Sequence, residues 1–469
     1  EQYEAKVTDT WPQRALFTTK SLRFNRGSSD NLSRTKGTST STTKGTYSFW
    51  FKLSKTTGLT LIENGTAAAD RAIVYIQSDS TLKLFSKIGN STKLDLGTNR
   101  VFRDVSAWYN VVIAIDTTQG TDTNRVKLYV NGTQETSFAS STYPAQNDAL
   151  RFFTSNEIEE IGIDFENGGL FDGYMSEVIK IDGQQLAPTS FGVANSDGVW
   201  TPIIYLGTYG NNGFNLQFED AAALGTDSSP NGNTFTVNNL TSIDQSTDYP
   251  VVNYATLNPL IYTDSTISEG NLQYTSPGSN PVFGSLSSIG MGQGKWYGEV
   301  NYVAGSNHYL VLGVADETFN SSSTSSSYDL GKSGTTSSIA YVVNTGAYRI
   351  NNSNTSWGSA GGDGQIIMWA IDKVNNKIYF GVNGVWGASS NPASNSGGIP
   401  TTALDSSTDW FIGCTNDTSG TETVAQFNFG SPPFAISSGN TDGNGYGNFE
   451  YAVPSGFYAL NTANLAEFG

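Results

Sequence analysis

The strongest potential for enzymatic chemistry lies in one acidic stretch, EIEEIGIDFENGG at residues 157–169. Two carboxylates that face each other across a cleft can cleave a glycosidic bond, one as the acid and the other as nucleophile or base. Alternate residues of a strand share a face, so Glu157 and Glu159 fall on the same side if this stretch is extended. The alternative is a solvated strand edge that performs no chemistry.

The single histidine and the single cysteine exclude several other kinds of site. His308 alone cannot build a histidine-rich zinc site, and it argues against a Ser-His-Asp triad. Cys414 alone excludes an intrachain disulfide and any cysteine-based metal cluster. Because Cys414 lies in the strand-like run 410–414, we expect a buried packing role and not a reactive thiol.

Two groups of oxygen-bearing side chains could hold calcium, which prefers hard oxygen ligands and needs no histidine or cysteine. The sequence indicates no required cofactor, and calcium is the one ion whose binding it allows. For both groups the alternative is an ordinary turn that binds no ion. The first group, in TDSSPNGN, is Asp227, Asn231 and Asn233. The second group is Asp164, Glu166 and Asp172.

Carbohydrate binding would require aromatic side chains on loops, flanked by amide and hydroxyl groups. Trp357 in NNSNTSWGSAGG is the best candidate, because Asn, Ser and Gly surround it without a strand period. His308, at the start of a strand-like run, is a further candidate for ligand binding. For each aromatic residue the alternative is packing in the core or at its rim. The aromatic candidates are Tyr143, Tyr328, Tyr348, Trp357 and Trp386.

The composition limits the partners that these residues could serve. Charged residues are 14% of the 469 residues, so Ser, Thr, Asn and Gly must supply most of the polar surface. A formal net charge of −17 argues against nucleic acid and anionic lipid, which attract clustered Lys and Arg. No run approaches the 18 or more apolar residues of a membrane span. We expect no nucleic-acid partner, no membrane insertion, and an uncharged or cationic ligand.

A repeated hairpin pattern indicates how the chain positions these residues. Residues 107–132, AWYNVVIAIDTTQGTDTNRVKLYVNG, contain two alternating strands, 108–116 and 125–130, followed by Asn-Gly. Asn-Gly favours a type I′ turn, so the sequence predicts a return strand over residues 133–138. A second copy, MWAIDKVNNKIYFGVNGVW, occupies residues 368–386. Together with 51 Gly and no helical period, the pattern predicts an all-β protein with two β-sandwich (jelly-roll) domains in series.

The first block, residues 21–190, resembles the laminin G-like, concanavalin A-type jelly roll. The matching pieces are Trp-Tyr opening VVIAID, the RVKLYVNG strand and turn, and Phe-Asp-Gly-Tyr at 171–174 before the next strand. Laminarinases of this superfamily place Glu, Asp and Glu at positions one, three and six of one strand. Counting from Glu157 puts Gly162 at the sixth position, and counting from Glu160 puts Phe165 there. The catalytic register is absent, so we expect a protein that is not an enzyme.

The remainder of the chain divides into a bridge and a second block. Residues 191–261 carry too many large apolar side chains for a solvated linker, so we expect a packed bridging segment with a strand over residues 214–218. Residues 262–469 resemble a SPRY (B30.2-like) sandwich. The matching pieces are GKWYGEV, LVLGVAD, the repeated hairpin, DWFIGCTND and FNFGSPPF. Long Ser/Thr/Asn/Gly loops depart from that family, so the resemblance carries no ligand over.

The order of these blocks, with VWTPIIYLGTYGNNGF between them, resembles large tail-fibre and structural proteins of marine bacteriophages. The resemblance implies a virion-surface structural and adhesive protein that displays carbohydrate- or protein-binding modules for host attachment. It further implies a homo-oligomer, with a trimer suspected, in contact with other virion proteins and a host-surface glycan. Residues 1–20 read as an N-terminal arm. The chain starts at Glu1 and not at Met, so residues could precede Glu1, and the family implies residues beyond Gly469.

Three other functions stay open at this point. A capsid-decorating virion protein would have no ligand of its own. A bacterial extracellular adhesin or filament subunit would show similar sandwiches outside a phage. A polysaccharide depolymerase is the least favoured, since it needs the carboxylate register that the sequence lacks.

Overall fold

The computed structural model describes residues 18–165, 168–261, 265–276, 284–305, 310–319, 329–332, 337–416 and 422–469. Three of the candidate residues, Glu166, His308 and Tyr328, lie outside these ranges, as does most of the predicted N-terminal arm. None of the described helices has the length and apolar character needed to cross a membrane.

The first part of the chain is built from short strands and one helix of a single turn, α1 (Asp122–Arg125). The strands are β1 (Ser21–Phe24), β2 (Asn31–Thr35), β3 (Lys44–Leu53), β4 (Leu59–Ala67), β5 (Asp70–Ile76), β6 (Thr81–Ile88), β7 (Ser91–Val101), β8 (Trp108–Asp116), β9 (Val126–Val130), β10 (Thr133–Gln134), β11 (Phe138–Thr142), β12 (Ile158–Ile161), β13 (Gly173–Asp182), β14 (Gly192–Ala194), β15 (Trp200–Pro202), β16 (Phe214–Leu216), β17 (Thr236–Asn238) and β18 (Gln245–Ser246). Single 3-10 turns occur at Arg151–Phe153, Pro188–Ser190 and Ser242–Asp244.

Two eight-stranded sheets face each other across the first hydrophobic core. Sheet A has the order β10-β9-β8-β3-β13-β1-β18, with β16 paired to β13, and sheet B has the order β11-β7-β6-β5-β4-β12-β2-β17. Alternation along β3 decides what each face carries: Phe49 and Phe51 enter the core, whereas Trp50 joins a cluster on the other face. The all-β fold class is confirmed.

The predicted hairpin is present with one difference. Strand β8 has the predicted bounds, and Asn131 (φ 47°) and Gly132 (φ 76°) both adopt the left-handed conformation that a type I′ turn needs. The predicted return strand over 133–138 is wrong beyond Gln134. The main-chain N–H of Glu135 still donates to Leu128 of β9, while its side chain forms an ion pair with Arg100 of β7. The chain then continues as β11 in sheet B.

The bridging segment packs over the outer face of sheet A. Phe191 and Tyr209 bury against Val112, Ile179 and Ile181. Further along, the segment's β16 pairs with β13 and contributes to the main core. The predicted strand over 214–218 is therefore present but ends at Leu216. As a result, sheet A has little outer surface left for a ligand.

Polar contacts fasten this covered face to the end of the bridging segment and to the second sandwich. Lys52 Nζ donates to Asp248 Oδ2 at 2.8 Å and to Asn253 Oδ1 at 2.7 Å. Trp108 Nε1 donates to Asp248 Oδ1 at 2.9 Å, and Tyr174 Oη donates to the carbonyl of Gly270 at 2.7 Å. The two sandwiches are thus joined by buried hydrogen bonds and not by a free linker.

The second sandwich contains sheets C and D, with a short C-terminal helix, α2 (Thr462–Phe468). Its strands are β19 (Thr266–Ser268), β20 (Gln273–Thr275), β21 (Ser285–Leu286), β22 (Lys295–Gly305), β23 (Leu310–Asp316), β24 (Ser338–Val342), β25 (Ala347–Ile350), β26 (Ser353–Ser356), β27 (Gln365–Asp372), β28 (Lys377–Val382), β29 (Val385–Trp386), β30 (Ile399–Pro400), β31 (Trp410–Asn416), β32 (Thr423–Asn428) and β33 (Tyr458–Ala459). Sheet C has the order β19-β20-β32-β22-β27-β28-β29, with β30 on β28 and β33 on β22, and sheet D has the order β21-β31-β23-β24-β25-β26. The repeated hairpin is β27–β28, and Asn383 (φ 47°) and Gly384 (φ 83°) repeat the turn of the first copy. Cys414 is fully buried in this core, and burial raises the pKa of its thiol.

Candidate ligand-binding groove

The outer face of sheet B is the broad sheet surface of the first sandwich that the bridge leaves uncovered. Along β5 and β6, alternate residues point away from the core because the strand period is two. Ile73 pairs directly with Phe85, and Tyr75 pairs directly with Lys83, so these side chains share one face. Their neighbours in sequence, such as Val74 and Leu84, fill the core.

A groove of about 320 Å³ lies on this face, at the lower end of the roughly 300–1,000 Å³ usual for small-molecule sites. Its floor is apolar and partly aromatic: Ile73 is nearly buried, whereas Tyr75 and Phe85 are half-buried. Its lining residues are Gly58, Thr60, Arg71, Ile73, Tyr75, Phe85, Asp164, Gly168 and Gly169. The groove therefore combines aromatic rings with a hydroxyl, a guanidinium and a carboxylate.

Arg71 is held in the groove wall by the side chain of Glu63 behind it. Its Nε lies 2.7 Å from Glu63 Oε1, and its Nη2 lies 4.0 Å from Asp164 Oδ2. The guanidinium also lies over the ring of Phe165, 4.9 Å from the centroid. Glu63 Oε2 accepts the main-chain N–H of Phe165 at 2.8 Å. Glu63 thus fixes both Arg71 and the loop that carries Asp164.

Glu63 itself is not presented to a ligand, since its side chain is 1% exposed. Burial raises the pKa of Glu63 to about 8, and the positive charge of Arg71 offsets only part of that effect. Glu160 lies directly opposite Glu63 in the pairing of β12 with β4, and burial followed by the charge of Asp164 raises its pKa. The arrangement orients donors and acceptors around an aromatic floor. The absence of catalysis stays a prediction.

The acidic stretch is not the solvated strand edge that the sequence suggests. Strand β12 lies inside sheet B, between β4 and β2, and Glu159 is fully buried. Glu159 Oε2 accepts from Arg34 Nε at 2.9 Å, and Glu159 Oε1 accepts from Lys180 Nζ at 2.8 Å. Burial alone would raise the pKa of Glu159, but these cations lower it to about 2. The carboxylate is therefore an internal counter-ion facing away from the groove.

The four aromatic candidates that the structure describes are not among the groove's lining residues, and they pack largely against hydrophobic neighbours. Trp357 is 8% exposed, and its Nε1 donates to the carbonyl of Phe380 at 3.0 Å. Tyr348 packs edge-on against Trp357, with 6.1 Å between ring centroids. Trp386 is half-buried against Tyr297 and Tyr379 of sheet C. Tyr143 packs at the rim of the first core. Binding by these residues stays a prediction.

The first calcium group is brought together, but mainly through hydrogen bonds within its loop. Asp227 accepts the N–H groups of Asn215, Ser229 and Asn233 at 2.7–2.9 Å, together with the Ser229 hydroxyl at 2.8 Å. Asn231 and Asn233 both direct their side-chain N–H groups to the carbonyl of Gly213, at 2.8 Å. These donors occupy the lone pairs that an ion would use, so an ion would have to displace them. Calcium binding by this loop stays a prediction.

The second calcium group is divided between two places. Asp164 lines the groove, whereas Asp172 forms an ion pair with Lys55 at 3.2 Å. In the part of the chain that the structure describes, no three His, Cys, Asp or Glu side chains are arranged to hold a metal ion.

Sequence reasoning missed Tyr75 and Phe85, although a signal for them was present. RAIVYIQSD and TLKLFSK both alternate, so each strand has a second face that carries an aromatic residue between charged or aliphatic ones. Two aromatic residues on outward faces of neighbouring strands form a platform only if those strands pair in register. That pairing is visible only in the folded sheet.

Parts of this chain are similar to one protein family and to several solved structures. Residues 26–182 match the family profile of Laminin_G_3, described as the concanavalin A-like lectin/glucanases superfamily. No curated protein matches the chain. Among solved structures, the SPRY domain of human HERC1 is 16% identical and has a TM-score of 0.30, with 36% of this chain and 96% of that chain covered.

Two further solved structures show a similar degree of likeness. A putative carbohydrate binding protein from Bacteroides ovatus is 16% identical, covers 48% of this chain and 59% of that chain, and has a TM-score of 0.32. The heptameric SAP-like pentraxin of Limulus polyphemus is 17% identical and has a TM-score of 0.28, with 36% of this chain and 77% of that chain covered. The matched segment of the first sandwich thus has a concanavalin A-like lectin/glucanase fold, and SPRY domains are among the structural neighbours of the chain.

Proposed function

We propose that this protein is a non-enzymatic adhesive component of a bacteriophage fibre that binds a host-surface carbohydrate through the groove on sheet B. The observation that carries the proposal is the apolar, partly aromatic floor of Ile73, Tyr75 and Phe85 beside the ordered Arg71. The apolar face of a sugar ring packs on aromatic side chains, while its hydroxyl groups take up fixed hydrogen-bonding partners at the rim.

The polar wall supports a sugar ligand more than a purely apolar one. Thr60, Arg71 and Asp164 offer a hydroxyl, guanidinium N–H groups and carboxylate oxygens on one side of the floor. Because Arg71 is fixed by Glu63, little side-chain order has to be gained when a ligand binds. The sandwich fold and the absence of a catalytic carboxylate register favour recognition without cleavage.

The fibre setting rests on the resemblance of the block order to phage tail-fibre and structural proteins. A shallow site of this size would bind one glycan weakly. Repetition of the chain in a homo-oligomer, and of that oligomer on a particle, would convert weak sites into firm attachment through effective concentration. Display on the virion surface is part of the same proposal.

The groove is tested with Tyr75→Ala and Phe85→Ala, and Tyr143→Ala serves as the matched control. Loss of one buried aromatic contact costs about 1.5–3 kcal/mol, which weakens binding by about 10- to 100-fold. A glycan array identifies a ligand for the full chain, and calorimetry measures its affinity for each variant. Unchanged affinity in both groove variants, or a loss confined to Tyr143→Ala, would show that the groove is not the site.

The fibre setting is tested separately by gold-labelled antibody imaging of native particles. Label at the tail or fibre tips is the expected result. Label over the head would favour a capsid-decorating protein, and label on cell-surface filaments would favour a bacterial adhesin.

A further inference from the structure

The interior of the first sandwich contains a lysine that forms no ion pair with any residue the structure describes. Lys36, directly after β2, is 1% exposed, and its Nζ donates to Asn64 Oδ1 at 2.8 Å and to the carbonyls of Arg151 at 2.9 Å and Phe152 at 3.3 Å. Among the described residues no carboxylate lies within 4.0 Å of this nitrogen. Buried lysines are rare, and they usually have an anionic partner.

These surroundings favour the neutral, nucleophilic amine. Burial, reinforced by the nearby charge of Lys180, lowers the pKa of Lys36 well below its usual value. The charges of Glu159 and Glu157 oppose this shift, and the charge of Arg34 adds to it. A desolvated lysine of this kind is the form that attacks carbonyl groups.

The group that Lys36 contacts is a carboxamide that can be attacked. Asn64 of β4 is fully buried. The hydroxyl of Tyr47 lies 3.4 Å from Asn64 Oδ1 and accepts from Asn64 Nδ2 at 3.3 Å, and it donates a hydrogen bond to Glu159. One hydroxyl therefore contacts the oxygen that gains charge during attack and the nitrogen that would leave.

We propose that Lys36 and Asn64 form an intramolecular isopeptide bond. Lys36 Nζ attacks Asn64 Cγ, and a C–N bond forms while the Cγ–Nδ2 bond breaks. One proton passes from Nζ to Nδ2, which leaves as ammonia, so no oxidant or further reactant is needed. Tyr47 Oη accepts a hydrogen bond from Nδ2, the nitrogen that leaves, and its own proton is donated to Glu159, which holds the hydroxyl in place.

The contact places the amine next to the carboxamide. Reacting atoms have to approach to about 3–3.5 Å. Nζ lies 2.8 Å from Oδ1, an atom bonded to the carbon that is attacked, so the amine has to move only from the oxygen towards Cγ. The bond would join the end of β2 to β4 across β12, which lies between them in sheet B. Such a link would prevent these strands from separating under load. The inference does not depend on a carbohydrate ligand in the groove.

The chain contains a matched control for the effect of ionic pairing. Lys52 Nζ also contacts an asparagine oxygen, that of Asn253 at 2.7 Å, but it lies 2.8 Å from the carboxylate of Asp248. Lys52 thus has the ion pair with a carboxylate that Lys36 lacks among the described residues. We expect a bond at Lys36 and none at Lys52.

The test is the intact mass of the purified, denatured full chain, followed by peptide sequencing. The expected mass is lower than the sequence mass by one ammonia, with a branched peptide that joins Lys36 to Asn64. Lys36→Met should restore the mass calculated from its own sequence, whereas Lys52→Met should still lose one ammonia.

Three outcomes would overturn the proposal. The first is a wild-type chain at its sequence mass with no branched peptide, a result that does not depend on whether any variant folds. The second is ammonia loss traced to a succinimide at an Asn-Gly pair without a branched peptide. The third is a branch at Lys52–Asn253 in place of Lys36–Asn64.

Discussion

The ion pair between Lys52 and Asp248 should hold the bridging segment to sheet A, and Asp248→Asn tests it. The side chains are 1% and 2% exposed, and 2.8 Å separates Nζ from Oδ2. Coulomb's law with an effective dielectric constant of about 20 gives an attraction of about 6 kcal/mol at that distance, before the cost of desolvation. The asparagine keeps an acceptor for Trp108 Nε1 and removes only the charge. We expect a loss of about 3–5 kcal/mol in the free energy of unfolding, because Lys52 is left as an uncompensated buried cation.

Calorimetry and urea unfolding of the full chain measure this loss. Lys44→Met is the control, because Lys44 is 38% exposed, lies 3.2 Å from Asp116, and should contribute at most about 1 kcal/mol. The double variant Lys52→Met/Asp248→Asn should lose less than Asp248→Asn alone, since no buried charge remains unpaired. A loss below about 1 kcal/mol in Asp248→Asn, or a double variant less stable than both single variants, would refute the reasoning.

Three further predictions concern single residues. The folded-state pKa of Glu63 is about 8, above its usual value, so the stability that protonated Glu63 contributes is complete below about pH 4.5 and is lost as the pH rises towards 8. The melting temperature should therefore fall less between these pH values in Glu63→Gln than in the unmodified chain. An identical dependence of the melting temperature on pH in both proteins would contradict this. Gly132→Ala should lower the free energy of unfolding by about 1–3 kcal/mol, because φ is +76° and the added Cβ would lie 2.6 Å from the ring of Trp200. An unchanged midpoint of urea unfolding would contradict this strain. Cys414 should react with a thiol reagent only after unfolding, since its pKa is raised and its side chain is buried, and rapid labelling of the native chain would contradict this.

Local sequence determined most of the architecture. The alternation in WYNVVIAID predicted β8 with its observed bounds, and Asn-Gly at 131–132 and at 383–384 predicted two turns with positive φ. These features depend on a few neighbouring residues whose conformational preferences agree with the final fold. The burial of Cys414 followed from the same strand pattern. Two sandwiches in series could therefore be predicted without knowledge of any long-range contact.

The site depended on information that no local pattern contains. Alternation shows that a strand has two faces, but it does not show which face another segment will cover. The bridge covers sheet A and leaves Tyr75 and Phe85 of sheet B open, whereas Trp357 was predicted for a loop and is packed against the second core. Glu159 became an internal counter-ion because β12 inserted between β4 and β2. The contact between Lys36 and Asn64 likewise joins residues that are far apart in the sequence. Which side chains are exposed and which charges are paired depends on contacts of this kind, so only the tertiary structure could decide them.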